Sequence, residues 1–542
     1  MTQSPSLPPG SSSPQGETHQ ISQAAGLIGA ATFCSRILGF IRDIILANLF
    51  GANAAADAFY IAYRIPNLLR ELFAEGSMSS AFIPVFTEYH STRSKQEAWE
   101  LASAAFTTLL TLVTIVSLLG IFAAPGLVWM LAPGLHDDLA QLATTTLLAQ
   151  IMFPYLLFVS LAALAMGILN ALRSFAIPAL APVFFNVCVI VFALAISPLF
   201  DQPIVAVAIG IVVGGLAQFL MQLPGLHKKG FLLSWNFHPT HPGVKKMGVL
   251  LIPTLLGLAV TQINLTISTI LASYFEGGPT YLFYAMRLIQ FPLGIFGVAM
   301  ATAILPSLST HAAKGAHDEL RATVNFGLRM VFFIILPSMV GLMLLRIPII
   351  HLFFEHGAFS ALDTIGTASA LLGFSVGLWA FASYRILAMA FYSLQDTRTP
   401  ATVAIISVGI NIGLSLWLMT PLAHTGLALA AGLAAIGHTF ILATILGKRL
   451  QGLLWKTLGA SLARTGIALL PIIGICTWIG SLALWQEVGQ SPQKMVWLLL
   501  AIGGSAIGYF GIHQILRSDE LMHVKHMLQR KLPKRSPQSE IP

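Results

Sequence analysis

Fourteen runs of the chain are apolar enough, and long enough, to cross the ~30 Å hydrocarbon layer of a bilayer, which takes about 20 helical residues. They fall at 22–50, 56–88, 100–132, 140–170, 178–199, 203–224, 247–274, 280–310, 322–349, 364–395, 400–420, 424–447, 458–483 and 495–516. Inside lipid only helices and closed barrels satisfy every backbone donor and acceptor. The runs lack the alternating ~10-residue pattern of a barrel strand. The expected fold is therefore an all-α polytopic membrane protein of about 14 transmembrane helices. Composition agrees: 9% of residues are charged against ~25% in soluble domains, and 56% are hydrophobic.

The basic residues set the expected orientation. Alternate loops carry Arg93, Lys95, Arg173, Lys228, Lys229, Lys245, Lys246, Lys314, Arg321, Arg398, Lys448, Arg449 and Lys456. The C-terminal tail adds Arg517, Lys525, Arg530, Lys531, Lys534 and Arg535, so 19 of the 29 basic residues share one side. The opposite loops hold Lys494, with Arg346 at the end of a span, and carry Asp57, Asp137, Asp138, Asp201, Glu276, Glu355, Asp363 and Glu487. By the positive-inside rule both termini are expected in the cytoplasm, which makes a nucleic-acid partner the wrong reading of the +8 net charge. Residues 1–21, rich in Pro, Ser and Gly and without Lys or Arg in the first twenty, read as a disordered cytoplasmic tail and not as a signal peptide. Cys34, Cys188 and Cys476 lie inside apolar runs and read as small buried residues.

A shift of 222 residues lays the chain on itself. "NALRSFAIPA" ending at Pro178 meets "YSLQDTRTPA" ending at Pro400, "FIPVF" with Pro84 meets "ILPSL" with Pro306, and Glu97 meets Glu319. Six spans per repeat give two halves of like orientation, an arrangement typical of secondary transporters. The expected organisation is a six-helix half at 22–225, a basic cytoplasmic linker at 226–246, and a second six-helix half at 247–448. Two extra helices at 449–517 and a basic cytoplasmic tail at 518–542 complete it.

Eight arginines lie inside spans: Arg36, Arg42, Arg64, Arg70, Arg287, Arg329, Arg385 and Arg464. Each such charge at mid-bilayer costs at least ~2.5 kcal/mol. Five belong to the first, second and eighth spans, and Arg-x5-Arg-acid occurs twice, as Arg36…Arg42-Asp43 and Arg64…Arg70-Glu71. At ~1.5 Å per residue, Arg42, Arg64 and Arg287 fall at one level and Arg36 and Arg70 nearer mid-membrane, with Gly39 and Pro66 as kink points and Asn67 beside the latter. The plain alternative is internal pairing, of Arg36 with Asp43 two turns away and of Arg70 with Glu71 or Glu75. Five arginines against Asp43, Glu71 and Glu75 still leave a charge of +2. An anionic ligand accounts for that surplus, and several planar guanidinium forks suit a diphosphate. Arg385 and Arg464 lie nearer the cytoplasmic ends and snorkel; Arg329 receives no role.

Other signals are weaker. His238 and His241 in "HPTHP" sit among prolines that break the helix a metal pair needs, and no metal site is expected. Gly210-x3-Gly214 and Gly504-x3-Gly508 mark close helix packing. No P-loop, nucleotide fingerprint or nucleophile elbow occurs, and the outer loops are too short to shape an active site, so no catalytic residue is assigned.

Residues 35–86, "SRILGFIRDIILANLFGANAAADAFYIAYRIPNLLRELFAEGSMSSAFIPVF", resemble the N-terminal signature of the MurJ/MviN family, the lipid II flippases of the MOP exporter superfamily. Residues 283–309, "FYAMRLIQFPLGIFGVAMATAILPSLS", resemble the family's eighth span. The resemblance covers essentially the whole chain. It implies an alternating-access transporter that binds the diphosphate and sugar headgroup of lipid II in a central cavity, with the polyprenyl tail in a groove toward the two extra helices. It carries the family's essential arginines onto Arg36, Arg42, Arg70 and Arg287, and its acidic partners onto Asp43 and Asp57. The substrate-binding set is thus Arg36, Arg42, Asp43, Arg70 and Arg287, supported by Asp57, Arg64, Glu71, Glu75, Gly39, Pro66 and Asn67.

Two positions depart from the family. Met286 and Gln290 stand where relatives often place acids around the eighth-span arginine. Asn264 and Asn411 are polar where some members bind sodium, but no carboxylate completes such a site. The resemblance implies no enzyme and no cofactor, with coupling to membrane potential or an ion. Expected partners are lipid II, the bacterial inner membrane and cell-wall synthesis proteins. The alternatives are a MOP-type exporter of a drug or another lipid-linked oligosaccharide, a membrane cell-wall synthase, and a non-transporting scaffold. A cationic-drug exporter would need unpaired carboxylates where this layer is net basic.

Overall fold

The computed structural model describes residues 14–73, 77–232, 234–487 and 491–531, and among these every regular element is helical. Two compact units emerge, one of Met1–Phe50 with Ala58–Gln262 and one of Gly51–Asp57 with Ile263–Pro542. The first holds α1 (Pro14–Phe50), α2 (Ala54–Phe73) from Ala58 on, α3 (Ser77–Thr92), α4 (Lys95–Leu131), α5 (Leu139–Met152), α6 (Pro154–Ala171), α7 (Ala176–Val191), α8 (Pro203–Leu220), α9 (Leu223–Lys228) and α10 (Pro242–Ala272) as far as Gln262. There α7 packs on α1 and α8, while α6 packs on α3, α4 and α8 around Phe82, Phe86, Leu101, Leu156 and Leu164.

The second unit continues with α11 (Gly278–Pro292), α12 (Val298–Ala313), α13 (His317–Leu344), α14 (Arg346–Phe353), α15 (Ala361–Val376), α16 (Leu378–Ser393) and α17 (Arg398–Arg449). It ends with α18 (Trp455–Ala468), α19 (Leu470–Gly480), α20 (Ser491–Ile515) and α21 (Asp519–Lys531). Here α17 packs on α15 and α16, and α13 carries α18 and α19 around Phe333, Ile472, Cys476 and Leu498.

The 222-residue shift survives in the local structure. Helices begin at Lys95 and His317, at Leu139 and Ala361, and at Ala176 and Arg398. Glu97 and Glu319 both fall in first turns, where an acid complements the helix dipole. The helices ending at Ala171 and Ser393 both close through a left-handed residue that is not glycine, Arg173 at φ 56° and Gln395 at φ 59°. In each the next amide reaches back to the last turn, Ser174 N to Leu169 O and Asp396 N to Phe391 O, a Schellman closure.

Ten helices among the described residues are long and apolar enough to cross a membrane, four fewer than the expected count. Two segments of the charged layer, α1 and α2, are not among the ten, whereas the one with Arg287 is: α2 alone bears Asp57, Arg64, Arg70 and Glu71 in 20 residues. The 52-residue α17 counts once, although Ala423 (φ 49°) breaks its helical course after Pro421. Its length, about 78 Å at 1.5 Å per residue, is more than twice a hydrocarbon layer.

Three expectations are corrected. Residues 14–21, read as tail, belong to α1. Cys34 is exposed on α1 instead of buried, while Cys188 is half-buried and Cys476 buried. Lys494, read as a loop cation, is 2% exposed and donates to His351 Nε2 at 2.8 Å and to the Glu487 carbonyl. His351 in turn contacts Glu355 at 2.8 Å, so the buried ammonium has a countercharge one residue removed.

Prolines inside helices free the carbonyl four residues earlier, and side chains from neighbouring helices answer two of them. Pro125 frees Ile121 O, which accepts from Gln150 Nε2 at 3.2 Å, and Pro337 frees Phe333 O, which accepts from Tyr509 Oη at 2.6 Å. Three of the four expected glycines are close-packing sites, while a Cβ on Gly504 would meet Ile475 at an ordinary 3.6 Å. A Cβ on Gly210 or Gly214 would lie within 3.0 Å of Phe192 or Phe185, and one on Gly508 would lie 2.6 Å from Pro471.

Arg329 now has a role. It donates through Nε to Glu520 (2.6 Å) and through Nη2 to Asp519 (2.8 Å), Ser461 adds a bond to Glu520 (2.8 Å), and Arg464 stands 3.7 Å from Asp519. Two arginines from α13 and α18 thus pin the first turn of α21. Burial alone would raise the Glu520 carboxyl, but the bonds from Arg329 and Ser461 outweigh it and hold it below its ordinary value. A depressed carboxyl contributes its stability fully at neutral pH and loses it as pH falls through the depressed range. Arg329→Met should therefore release α21 at a cost of about 1.5–3 kcal/mol. Protease cleavage at Leu516–Ser518 should rise in the variant, and unchanged cleavage would contradict the anchoring.

Candidate functional site

The first cluster forms where α1 meets α7. Asp43 is fully buried and accepts from Arg42 at Oδ1 twice, from Nε at 3.0 Å and from Nη2 at 2.7 Å. Asp43 is thus paired with Arg42 and not with Arg36, which is exposed. Two helical turns separate 36 from 43, about 10.5 Å, further than an arginine reaches along its own helix. Arg42 Nη1 donates to Asn186 Oδ1 at 3.1 Å. Asn186, 6% exposed, donates from Nδ2 to the carbonyls of Ser35 (3.2 Å) and Pro182 (3.1 Å), so its amide has one orientation. Gly39 faces this amide: a Cβ there would stand 3.8 Å from it, an ordinary contact distance, so the site does not by itself demand glycine.

The second cluster hangs on α2. Pro66 lies inside this helix, where it removes one backbone donor just before Asn67. Arg70 Nε donates to Asn67 Oδ1 at 2.9 Å, and Asn67 Nδ2 donates to Glu71 Oε1 at 2.9 Å. Glu71 Oε2 accepts from Gln262 Nε2, and Gln262 Oε1 accepts from Arg64 Nη2 at 3.1 Å. The direct approach of Arg70 to Glu71 is a loose 3.8 Å. Glu75 lies outside the described residues.

In the second unit Arg287 is half-buried on α11, with its guanidinium 5.5 Å from the Phe283 ring centre. Met286 beside it is half-buried and Gln290 exposed. Asp57 serves the same helix from far away in sequence. It is 2% exposed and accepts from Gly277 N (2.7 Å), Thr280 N (3.1 Å) and Thr280 Oγ1 (2.6 Å). The residue before α11 is Gly277 at φ 72°, which has no side chain to cap the helix, so Asp57 answers the first-turn donors and favours the positive end of the dipole. Asn264 and Asn411 do meet, Asn411 Nδ2 donating to Asn264 Oδ1 at 2.7 Å. Among the described residues no three His, Cys, Asp or Glu side chains gather as a metal site requires.

Asn186 and Gln262 are the residues that sequence reasoning missed. Both are uncharged amides inside apolar runs, 144 and 198 residues from the arginines they serve. Chemically, the first unit sets four arginines, Arg36, Arg42, Arg64 and Arg70, against two described carboxylates, Asp43 and Glu71, with amides as the remaining acceptors. Amides orient a guanidinium without cancelling its charge, so the layer keeps its attraction for an anion.

The cap predicts the behaviour of Asp57→Asn. An amide can still accept, but its NH2 would face backbone donors that have lost their partner, at a cost of about 1–3 kcal/mol. The purified variant should melt lower than the parent, and an equal melting temperature would show that the cap contributes nothing.

Comparison with known proteins places the chain. The family model described as "Lipid II flippase MurJ" matches residues 46–496. The Vibrio cholerae protein named "Probable lipid II flippase MurJ" is 39% identical over 501 residues, covering 90% of this chain and 95% of that one. The Burkholderia cenocepacia "Lipid II flippase MurJ" is 35% identical over 482 residues, covering 88% and 93%. The solved structure "Lipid II flippase MurJ, inward closed conformation" superposes with a TM-score of 0.73 at 27% identity, covering 91% of this chain and all of that one. An inward-facing multidrug resistance MATE transporter of the MOP superfamily matches at a TM-score of 0.64 and 14% identity over 77% of this chain, which is a likeness of fold alone. This multi-pass membrane chain belongs to the MurJ lipid II flippase family.

Proposed function

We infer that the chain is a lipid II flippase, moving the undecaprenyl-diphosphate-linked disaccharide-pentapeptide from the cytoplasmic to the periplasmic leaflet. The observation that carries the reading is the family match over residues 46–496, in a chain whose buried Arg42 and half-buried Arg64 and Arg70 are held by amides as much as by acids. No covalent bond is made or broken, so the chain is a transporter and not an enzyme. The alternative of a drug exporter is not favoured: the MATE transporter matched shares the fold at 14% identity.

The finer points are proposals. Transport proceeds by alternating access, with Arg36, Arg42, Asp43, Arg70 and Arg287 as the substrate-binding set and Asp57, Arg64, Glu71, Glu75, Gly39, Pro66 and Asn67 supporting it. Arg42, tied to Asp43 and Asn186, exchanges those partners for phosphate oxygens when lipid II arrives. The helices at 449–517 shelter the polyprenyl tail. The six-helix halves at 22–225 and 247–448 carry the motion, joined by the basic linker 226–246, and the residues before α1 and those from 518 on lie in the cytoplasm. The site of action is the bacterial inner membrane, and the product passes to cell-wall synthesis proteins. The driving force is the membrane potential or an ion. A potential of 100 mV is worth ~2.3 kcal/mol per elementary charge, enough to bias a net basic site inward when it is empty.

Two outcomes test the reading. At Arg42 and Arg70 lysine should be a poor substitute, because its point charge lacks the planar fork. Headgroup affinity should fall about tenfold or more for lysine, given what charged hydrogen bonds contribute. Alanine should abolish complementation without loss of protein from the membrane, and full activity of all four variants would sink the proposal. Separately, collapsing the membrane potential at constant pH and sodium should block export. Undiminished export would rule the potential out as the driving force.

A further inference from the structure

We propose that Gln262 is a positioning residue for the arginine pair of α2, fixing Arg64 and Arg70 through a hydrogen-bond relay of single polarity. The proposal rests on the lipid II reading and adds to it a residue from outside the charged motif.

Arg64 and Arg70 are six residues apart, so they leave α2 about 120° apart in direction and about 9 Å apart along its axis. One carboxylate at position 71 does not reach both. Two amides fill the gap, Asn67 from α2 itself and Gln262 from α10, the latter 4% exposed. The order of atoms is forced. An ionised carboxylate only accepts and a guanidinium only donates. Glu71 therefore takes the NH2 group of both amides, Asn67 Nδ2 at Oε1 and Gln262 Nε2 at Oε2. Both amide carbonyls are thereby turned to the arginines, Asn67 Oδ1 to Arg70 Nε at 2.9 Å and Gln262 Oε1 to Arg64 Nη2 at 3.1 Å. Every link runs donor to acceptor toward Glu71, and reversing one amide would break two links.

Gln262 is the only member of this relay that is not on α2. It keeps Glu71 turned toward Asn67, and through Asn67 it sets Arg70, a residue that binds the diphosphate in the reading above. Arg64 carries a second reason for dependence on it: its Nε is buried with no hydrogen-bond partner among the described residues, so the bond from its Nη2 to the amide oxygen of Gln262 orients this guanidinium. Loss of Gln262 should thus weaken headgroup binding by disordering the arginines, without altering the net charge of the layer.

The test uses the full-length protein in detergent with lipid II as the probe, measuring affinity and melting temperature together. Gln262→Met keeps the volume and the charge while removing both amide functions. Its affinity should fall about tenfold, the scale of lost hydrogen bonds to charged groups, with insertion retained. Gln262→Glu should lose at least as much, because two carboxylates then face each other. Adding Glu71→Gln to Gln262→Glu restores a single polarity, with the carboxylate now at 262, and should recover affinity to within about threefold of the parent. A residue with a merely structural role would lower the melting temperature of Gln262→Met and leave the affinity of the folded protein unchanged, and that result overturns the proposal. So does a double variant no better than Gln262→Glu, a comparison that stands even if Gln262→Met fails to insert. Failure of the parent protein to bind lipid II at all would overturn the flippase reading itself, and this inference with it.

Discussion

A charge placed in an apolar helix bundle has no water to fall back on, so its partners must come from the chain. That constraint organises the molecule. Arg42 is met by Asp43 and Asn186, Arg64 by Gln262, Arg70 by Asn67, and Lys494 by His351 and a backbone carbonyl. The partners differ in a way that bears on function. A carboxylate cancels the charge it holds, whereas an amide only orients it. In the first unit amides take three of the arginine contacts, so the geometry is set while the charge stays on offer to an anion.

The same rule reaches uncharged groups. Proline breaks that would orphan Ile121 O and Phe333 O are answered by Gln150 and Tyr509 from neighbouring helices, and the bare first turn of α11 is answered by Asp57. Gln150 thereby ties α5 to α4 within the first unit. The final helices are attached in this way: Tyr509 binds α20 to α13, and Arg329 binds α21 to α13 by two hydrogen bonds. What began as satisfaction of single donors and acceptors also fastens the last two helices of the second unit.

Much of this was legible in the sequence, and the reasons are physical. Apolar length declares helices because lipid permits little else. The 222-residue repeat was visible through Pro84, Pro178 and Glu97 with their counterparts, and the helix starts at Lys95 and His317 keep that spacing. The charged residues announced themselves by their expense. Their partners did not. Asn186 and Gln262 carry no charge and sit in apolar runs, and nothing in a linear pattern links them to arginines more than 140 positions away. Arg329 could receive no role because its acids lie in a helix 190 residues later. Asp43 misled in the other direction: a two-turn spacing to Arg36 put both on one face, but the neighbouring Arg42 is long enough to fold back and take it.

A membrane-spanning fold, a family and a chemical reason for arginines set in apolar helices meet in this chain. The central claim is that it delivers lipid II across the membrane. Depletion of the protein in its host, followed by scoring which leaflet holds lipid II, addresses that claim most directly. Lipid II should accumulate on the cytoplasmic leaflet as the protein disappears. Lipid II that continues to reach the outer leaflet at the normal rate would contradict that claim.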